Sequence, residues 1–267
     1  MIRLFALLLV ALVSGSAALA ELRIGTLNCF FLVDPARKAE GQLSSKTPPP
    51  EVYATKLENL GGFIRGLDVV AVQEIGSELE AKALAKAAGY EARFVQGRDT
   101  FTGQDVATLV TPNPRVKVVS ASRVQALENL SKHLLVILDK EGTRYKVLNV
   151  HLLRPIGRNA EKHAAQIQSI QAWVDSVRNV TPDAVVVVLG DFNNHEPAIL
   201  TLTDSAEVTN YARTILGGKS IDRIFTSGRL SGVEIIAPPL PKRPNDLLKA
   251  SWTDHFLVRA NVAAKRD

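Results

Sequence analysis

Polar side chains that could bind a cation or transfer a proton follow the most apolar segment of the sequence. Four valines and a leucine at 185–189 predict a strand buried on both faces, and Gly190 predicts a sharp turn at its end. Asp191 and Asn193 come next, at the position where α/β proteins usually place ligand sites. The alternative is an ordinary turn, in which both side chains bond their own backbone. This stretch alone leaves both interpretations open.

Further polar residues lie at the ends of other predicted strands. They carry carboxylate, amide or imidazole groups, and they are Asn28, Glu74, His151, Asp222, Asp254 and His255. Oxygen ligands of this kind suit Mg²⁺, Mn²⁺ or Ca²⁺, and the lack of clustered Cys and His argues against structural zinc. Any one of these residues is more simply a cap, but two histidines and several acids in one cleft could stabilise charge on phosphate oxygens. The set therefore predicts phosphoryl chemistry.

The elements that position these residues alternate between strands and helices in the first part of the chain. A strand at 22–28 is followed by a loop at 34–50, which we expect to lie exposed near the site. A helix from Glu51, a strand at 68–74 and a helix at 79–88 come next. The remainder contains one long helix, at 159–177, and strands at 90–95, 106–111, 116–119, 134–138, 145–150, 185–189, 220–225, 232–237 and 255–262. This alternation predicts an α/β fold.

The ordered set of motifs resembles the endonuclease/exonuclease/phosphatase superfamily, and in particular its deoxyribonuclease I-like branch. The motifs are Asn28, Gln73-Glu74, Asn149-Val150-His151, Gly190-Asp191-Phe192-Asn193, Asp222-Arg223 and Thr253-Asp254-His255. The full ordered set is far more specific than any single motif. The resemblance implies a four-layer α/β sandwich, in which two packed mixed β-sheets are flanked by helices and the site lies in a cleft at one end of the sheets.

The resemblance also implies which residues bind a metal ion. Glu74 would be the principal ligand, and Asn28 and Asp254 would complete or support the metal site. We expect Mg²⁺ or Mn²⁺, with Ca²⁺ as a further alternative, because these hard cations prefer oxygen ligands.

On the phosphate side, the resemblance implies a catalytic set of five residues. Asp191 and Asn193 would orient the attacking water and the scissile phosphate. His255, held by Asp222, and His151 would hydrogen-bond the phosphate oxygens and act as general base or general acid. All five are expected at the same end of the sheets.

Three supporting residues follow from the same comparison of motifs, and a fourth follows from its position in the chain. Asp105 would orient His151, and Thr253 stands where serine is commoner, with a hydroxyl that can make the same hydrogen bond. Lys132 stands where many relatives have an arginine, so it would bind phosphate without the bidentate fork of a guanidinium. Arg154 is a second candidate for binding substrate, because it lies in a loop expected near the cleft.

Other polar and aromatic residues receive structural interpretations. We expect His163 to be solvated on the long helix and Trp173 to anchor the core. His195 and Glu196 follow the Asp191 motif, and they are interpreted as turn or supporting residues.

Two classes of function are compatible with these motifs: a metal-dependent phosphoesterase, and a binding protein that keeps the fold without activity. The intact set favours the enzyme, because binding alone would not require both histidines and every carboxylate. Within the enzyme class we expect a non-specific endonuclease acting on DNA, or on RNA. A phosphoesterase acting on a lipid headgroup, as a sphingomyelinase does, or on a small phosphate ester is the alternative.

Charge supports a polyanionic substrate, although the excess is modest. The formal net charge is +5, and basic residues are scattered through loops expected near the cleft, among them Arg98, Lys132, Arg154 and Arg158. Their attraction to phosphates would not depend on base sequence. A proline-rich segment at 238–244 is the candidate membrane-docking loop that would favour a lipid substrate instead.

The first twenty residues resemble a signal peptide. Arg3 precedes an apolar run at 4–13, and Ala18-Leu19-Ala20 fits a cleavage site. We expect residues 21–267 to form a single catalytic domain, monomeric and exported to the periplasm or secreted. The apolar run is too short to span a bilayer, and no later run is long enough, so we expect no stable membrane insertion after cleavage. Cys29, the single cysteine, leaves stability to the core.

Cleavage after Ala20 is testable by mass. We expect the intact mass of the exported protein to correspond to a chain that begins at Glu21, because the basic start, apolar core and small-residue site occur in the order that signal peptidase recognises. Recovery of a soluble cytoplasmic product that retains residues 1–20 would contradict this prediction.

Overall fold

The computed structural model describes residues 21–36, 47–98, 103–197 and 199–265. Over these residues the strands are β1 Leu22–Leu32, β2 Val69–Ile75, β3 Glu91–Phe94, β4 Asp105–Val110, β5 Val116–Ser122, β6 His133–Lys140, β7 Thr143–His151, β8 Val185–Asp191, β9 Thr203–Asp204, β10 Asp222–Thr226, β11 Arg229–Ile236 and β12 Leu257–Ala263. The helices are α1 Pro50–Phe63, α2 Glu78–Ala88, α3 Asn159–Val180, α4 Ser205–Val208 and α5 Asp246–Ala250.

The strands form two mixed sheets of six strands each. The first has the order β11-β12-β1-β2-β4-β3, and the second has the order β5-β6-β7-β8-β10-β9. β1 runs parallel to β2 and β7 runs parallel to β8, whereas the other neighbours are antiparallel. An antiparallel neighbour begins where its partner ends. One end of the sandwich therefore gathers the ends of β1, β2, β7 and β8 and the beginnings of β4, β6, β10 and β12.

Apolar side chains pack in three layers. Between the sheets, inward-facing residues of both sheets meet, including Ile24, Ala71, Val136 and Val187. α1 and α2 cover the outer face of the first sheet. α3 covers the outer face of the second sheet and contributes Trp173 to its core, as the sequence predicts. The four-layer sandwich implied by the resemblance is confirmed.

A buried group of amides links the two sheets beneath the strand ends. Gln73 on β2 donates its Nε2 to Asn149 Oδ1 on β7 at 2.8 Å and to Thr26 Oγ1 at 3.1 Å. Asn149 Nδ2 donates to the backbone carbonyls of Val72 at 3.2 Å and Ala107 at 2.8 Å. Leaving such a buried group without its partner would cost about 1–3 kcal/mol. The network therefore opposes sliding of one sheet over the other.

The structure differs from the predicted elements in a few places. β1 continues past Asn28 to Leu32 through a register shift against β2. β9, α4 and α5 are absent from the prediction, because elements this short carry no periodic signal. The predicted signal peptide and most of the predicted loop at 34–50 lie outside the described residues. Among the described helices, none has the length and apolar character needed to span a membrane.

Gly190 lies inside β8, so the turn predicted at this residue is wrong. β8 continues through Asp191 and pairs with β7 on one side and β10 on the other. The φ angle of Gly190 is 140°, and a Cβ atom there would overlap the carbonyl oxygen of Val150 on β7. Glycine is required because the two backbones approach closely just before Asp191.

Replacement of Gly190 by alanine should destabilise the protein by about 3 kcal/mol, because the methyl group must push β7 away from β8. Gly62→Ala is the matched control, since a Cβ at this position in α1 would meet no atom within 4 Å. We expect that control to be neutral or slightly stabilising. Urea unfolding followed by circular dichroism measures both variants, and an unchanged midpoint for Gly190→Ala would contradict the steric argument.

Candidate active site

The polar residues predicted at strand ends lie together at one end of the sandwich. The first sheet supplies Asn28 and Glu74, and the second supplies His151, Asp191 and Asp222. Loops that follow β8 or precede β12 supply Asn193, Asp254 and His255. These side chains meet through the hydrogen bonds and ion pairs described below.

Glu74 is held by three donors. Its Oε1 accepts from Asn28 Nδ2 at 3.1 Å, and its Oε2 accepts from the backbone N–H of Phe31 at 2.9 Å and from Gln104 Nε2 at 3.2 Å. Burial would raise the pKa of Glu74, yet the pKa is lowered, because the positive charge of His255 and the hydrogen bonds from Asn28 and Phe31 favour the charged form. An ionised and oriented carboxylate in a water-poor cleft is suited to bind a hard cation.

The backbone takes unusual conformations where it presents this carboxylate. The φ angles are 48° at Phe30, 56° at Phe31 and 60° at Glu74, all in the left-handed region that non-glycine residues seldom occupy. The register shift of β1 against β2 falls at the same place, between Asn28 and Leu32. Phe30 N–H donates to Asn28 Oδ1 at 2.9 Å. This local distortion aims the Phe31 N–H and the Asn28 amide at Glu74.

Asp191 lies opposite Glu74 and shares the same amide. Its Oδ2 accepts from Asn28 Nδ2 at 3.0 Å, and its Oδ1 accepts from the backbone N–H of Asn193 at 2.8 Å. Asn193 Nδ2 donates to Leu152 O at 2.9 Å, so its side chain is fixed as well. Burial raises the pKa of Asp191, and the negative charge of Asp222 raises it further. Asp191 is therefore a better proton acceptor than an ordinary aspartate.

His255 is paired with Asp222. The distances from His255 Nδ1 to the two Asp222 carboxylate oxygens are 2.9 and 3.1 Å. Burial alone would lower the pKa of His255, but the Asp222 carboxylate outweighs burial and raises the pKa well above its usual value. The hydrogen bond that the resemblance implied is therefore present, and it favours a protonated imidazole.

His151 has the opposite character. Its Nε2 lies 3.7 Å from Asp191 Oδ2, and burial, assisted by the charge of Lys132, lowers its pKa to about 3. The predicted hydrogen bond from Asp105 is not formed: among the described residues, His151 Nδ1 has no hydrogen-bond partner. Asp105 instead accepts from the backbone N–H groups of Gly97 and Val106. These bonds hold Gly97, which follows β3, close to the start of β4.

The structure places the remaining predicted residues in different surroundings. Thr253 Oγ1 donates to Asn28 O at 2.7 Å and accepts from His255 N–H at 3.0 Å, so it ties the two sides of the site together. The carbonyl of Lys132 accepts from His151 N–H at 3.2 Å, and its side chain is buried beside the histidine. Arg154 is exposed on the loop after β7.

The donor set fits a cation. Asp254 Oδ1 is buried without a hydrogen-bond partner among the described residues and lies 3.8 Å from His255 Nε2. Such an orphaned carboxylate oxygen is what a bound cation would satisfy. A second group is formed by Asp191, Asp222 and His255, each of which offers a ligand atom within 4.8 Å of the other two.

Sequence reasoning misses Gln104, gives no role to Arg223 although this residue belongs to the Asp222-Arg223 motif, and misjudges His163. Gln104 gives no signal, because a lone glutamine before a strand has no periodic or motif context. Arg223 is fully buried, and its Nη1 donates to Glu196 O at 2.8 Å in the loop after β8. The prediction that His163 is solvated is wrong, because the residue is buried and its Nε2 lies 2.9 Å from Phe192 O. Its helical spacing to the buried Ile170 could have shown this.

The pairing of His255 with Asp222 generates a pH prediction. Asp222→Asn should lower the pKa of His255, because burial is then opposed only by the weaker influence of Asp191 and Asp254. A raised pKa in the folded state stabilises the protein below the unfolded-state value near 6.5, and this contribution is lost as pH rises through the folded-state pKa. The stability advantage of wild type over the variant should therefore shrink between about pH 6 and pH 10.

Histidine ring signals in NMR titrations of the metal-free protein measure this pKa directly, and the exposed His195 provides an internal reference. Urea unfolding at each pH measures the stability difference. An unchanged titration of His255 in Asp222→Asn would show that the carboxylate does not control the imidazole.

Comparison with known proteins gives the family. A model of the Endonuclease/Exonuclease/phosphatase family matches residues 25–262, whereas no curated protein sequence gives a significant match. TDP2 from Caenorhabditis elegans is 17% identical, with a TM-score of 0.65 over 91% of this chain and 75% of that chain. The human Nocturnin catalytic domain with bound sulfate is 17% identical, with a TM-score of 0.64 over 92% of this chain and 95% of that chain.

D. rerio TDP2, solved with a single-strand DNA product, is 15% identical, with a TM-score of 0.63 over 91% of this chain and 98% of that chain. At identities this low, the structural similarity establishes the fold only. Membership of the family is established by the sequence match to the family model. The chain belongs to the endonuclease/exonuclease/phosphatase family, whose members are metal-dependent phosphoesterases and nucleases.

Proposed function

We propose that this protein is an exported, divalent-metal-dependent phosphodiesterase that hydrolyses internal phosphodiester bonds of nucleic acid, chiefly DNA, without sequence specificity. The observation that carries the proposal is the convergence of an ionised Glu74, a buried Asp191 and a His255 with raised pKa at one end of the sheets. Export to the periplasm or medium rests on the signal-like sequence of residues 1–20.

Each side chain receives a role that follows from its environment. Glu74, supported by Asn28 and Asp254, would hold Mg²⁺ or Mn²⁺, and the ion would neutralise charge on the phosphate. Asp191 orients the attacking water and can take up its proton, because its raised pKa makes it a stronger base than usual.

The two histidines divide the remaining work. Protonated His255 donates a hydrogen bond to a phosphate oxygen while Asp222 keeps it charged. His151 is neutral, because its pKa is about 3, so it hydrogen-bonds the phosphate without adding charge. Asn193, fixed through its side-chain bond to Leu152 O, orients the scissile phosphate.

Nucleic acid is favoured as substrate by charge and by one structural relative. The formal net charge is +5, and Arg154 and Arg158 are exposed in the loop that follows His151. D. rerio TDP2, which shares the fold, was solved with a single-strand DNA product. Basic side chains in this loop would attract the phosphate backbone of a nucleic acid of any sequence.

A lipid headgroup is the second candidate, because one observation favours it. Leu247 and Leu248 are 52% and 39% exposed on α5, directly after the proline-rich segment at 238–244. Exposed leucines with neighbouring basic residues could rest on a membrane surface. A substrate experiment must therefore include lipid vesicles.

The proposed activity is tested by nicking of supercoiled plasmid. We expect purified protein with Mg²⁺ or Mn²⁺ to nick DNA of any sequence at low salt, and we expect the rate to fall as salt rises because counterion release weakens binding. Excess chelator should abolish nicking. Glu74→Gln should reduce it by about 100-fold with the fold retained, whereas Glu234→Gln, the same change at an exposed position on β11, should leave it unchanged.

Sphingomyelin vesicles and a phosphomonoester are assayed in parallel. Release of phosphocholine without plasmid nicking would overturn the nuclease proposal in favour of the lipid substrate. Nicking that persists in excess chelator would instead remove the metal from the proposed mechanism.

A further inference from the structure

Lys56 on α1 is a fully buried lysine that the hydrolysis described above does not use. Its Nζ donates to the backbone carbonyl of Phe30 at 2.6 Å and lies 5.5 Å from the centre of the Phe30 ring. Lysine is almost never fully buried, because its ammonium loses hydration that few protein groups replace. A buried ammonium at this position therefore calls for a specific explanation.

The backbone that Lys56 holds is the distorted segment that carries the cation-binding groups. Phe30 and Phe31 are both left-handed, with φ angles of 48° and 56°. Phe30 N–H donates to Asn28 Oδ1, and Phe31 N–H donates to Glu74 Oε2, each at 2.9 Å. The Phe30 carbonyl belongs to the same peptide group as the Phe31 N–H, which donates to Glu74. Asn28, whose side chain also donates to Glu74, lies two residues before Phe30.

The conformational strain at Phe30 and Phe31 means that a neighbouring group must hold this segment in place. Each non-glycine residue in the left-handed region costs about 1–3 kcal/mol and persists only where its surroundings hold it. A charge-assisted hydrogen bond in dry surroundings contributes more than a neutral one. Burial lowers the pKa of Lys56 to about 8, while Glu74 and Asp254 favour its charged form. The ammonium is therefore mostly charged at neutral pH.

We propose that Lys56 is a positioning residue for the cation site: by holding the Phe30 carbonyl, it fixes the Phe30–Phe31 turn and so the orientation of Asn28 and Glu74. It does not touch the substrate or the metal ion. The inference rests on the metal site of the proposed function, but not on which phosphate ester the enzyme hydrolyses.

Mn²⁺ binding to the full chain, measured by electron paramagnetic resonance without substrate, tests the proposal. Lys56→Met keeps the apolar stem and removes the ammonium, so we expect Mn²⁺ binding to weaken by about 10-fold or more, as for other residues that orient metal ligands. Lys56→Arg, which retains a charged donor, should restore most of the affinity. If the Lys56 bond contributed only to stability, Mn²⁺ affinity would not fall in Lys56→Met and recover in Lys56→Arg.

Lys140→Met is the matched control. Lys140 is also a largely buried lysine, and its Nζ pairs with Asp68 at 2.7 Å, at the opposite end of the sheets, where β6 ends. We expect this variant to lose thermal stability while its Mn²⁺ affinity stays at the wild-type value. Equal weakening in Lys140→Met and Lys56→Met would mean that general destabilisation, and not positioning, controls the affinity.

Other outcomes also decide the question. Wild-type or tighter Mn²⁺ binding by folded Lys56→Met would overturn the proposal, as would failure of Lys56→Arg to bind better than Lys56→Met. If Lys56→Met does not fold, Lys56→Leu, which also has no donor for the Phe30 carbonyl, is measured in its place, and wild-type Mn²⁺ affinity in that variant would equally overturn the proposal. Absence of Mn²⁺ binding by the wild-type protein would refute the metal site itself, a result distinct from failure of the Lys56 inference.

Discussion

One amide group lies between two carboxylates that come from different sheets, and the arrangement of the site depends on it. Asn28 Nδ2 donates both to Glu74 on the first sheet and to Asp191 on the second. Two carboxylates that converge in a water-poor cleft repel each other unless donors share their charge. The amide can serve both only if the sheets keep their spacing, which the bonds from Gln73 to Asn149 and from Asn149 to the Ala107 carbonyl maintain.

The same end of the sandwich gives two histidines opposite properties. His255 has a carboxylate partner in Asp222, so its pKa rises despite burial. The Nδ1 of His151 has no hydrogen-bond partner among the described residues, and burial together with the charge of Lys132 lowers its pKa although Asp191 lies 3.7 Å from its Nε2. Identical side chains in one cleft thus differ in charge at neutral pH, and the difference comes from neighbours that the strand register brings beside each ring.

Much of the architecture and most candidate residues of the site could be predicted from the sequence. Buried strands are recognisable as apolar runs, so the polar residues at their ends, such as Glu74 and Asp191, could be chosen as candidates, whereas their placement in one cleft is implied by the family resemblance. The deoxyribonuclease-like motif order supplied the pairing of Asp222 with His255. These predictions rest on local pattern and on an ordered set of motifs.

Other features depend on distances between elements that no local pattern encodes. Lys56 reads as an ordinary helical lysine until α1 is packed against β1, and Gln104 has meaning only beside Glu74. The resemblance assigns Asp105 to His151, but the Asp105 carboxylate accepts from the backbone N–H groups of Gly97 and Val106 instead. The prediction of a turn at Gly190 is wrong, because glycine is required there by the close approach of β7, and the local sequence around Gly190 does not show which strand packs beside it.

The left-handed residues beside the site have an evolutionary consequence. Phe30, Phe31, Glu74 and Asn193 all adopt positive φ angles, and a glycine at either phenylalanine position would relieve backbone strain. Such a change would loosen the turn that faces Glu74. Selection for stability would therefore favour glycine at these positions, whereas selection for catalytic turnover would oppose it. In a lineage that lost catalysis, selection would no longer preserve this strained turn. Glycine would then replace Phe30 or Phe31 before the acidic residues of the site changed.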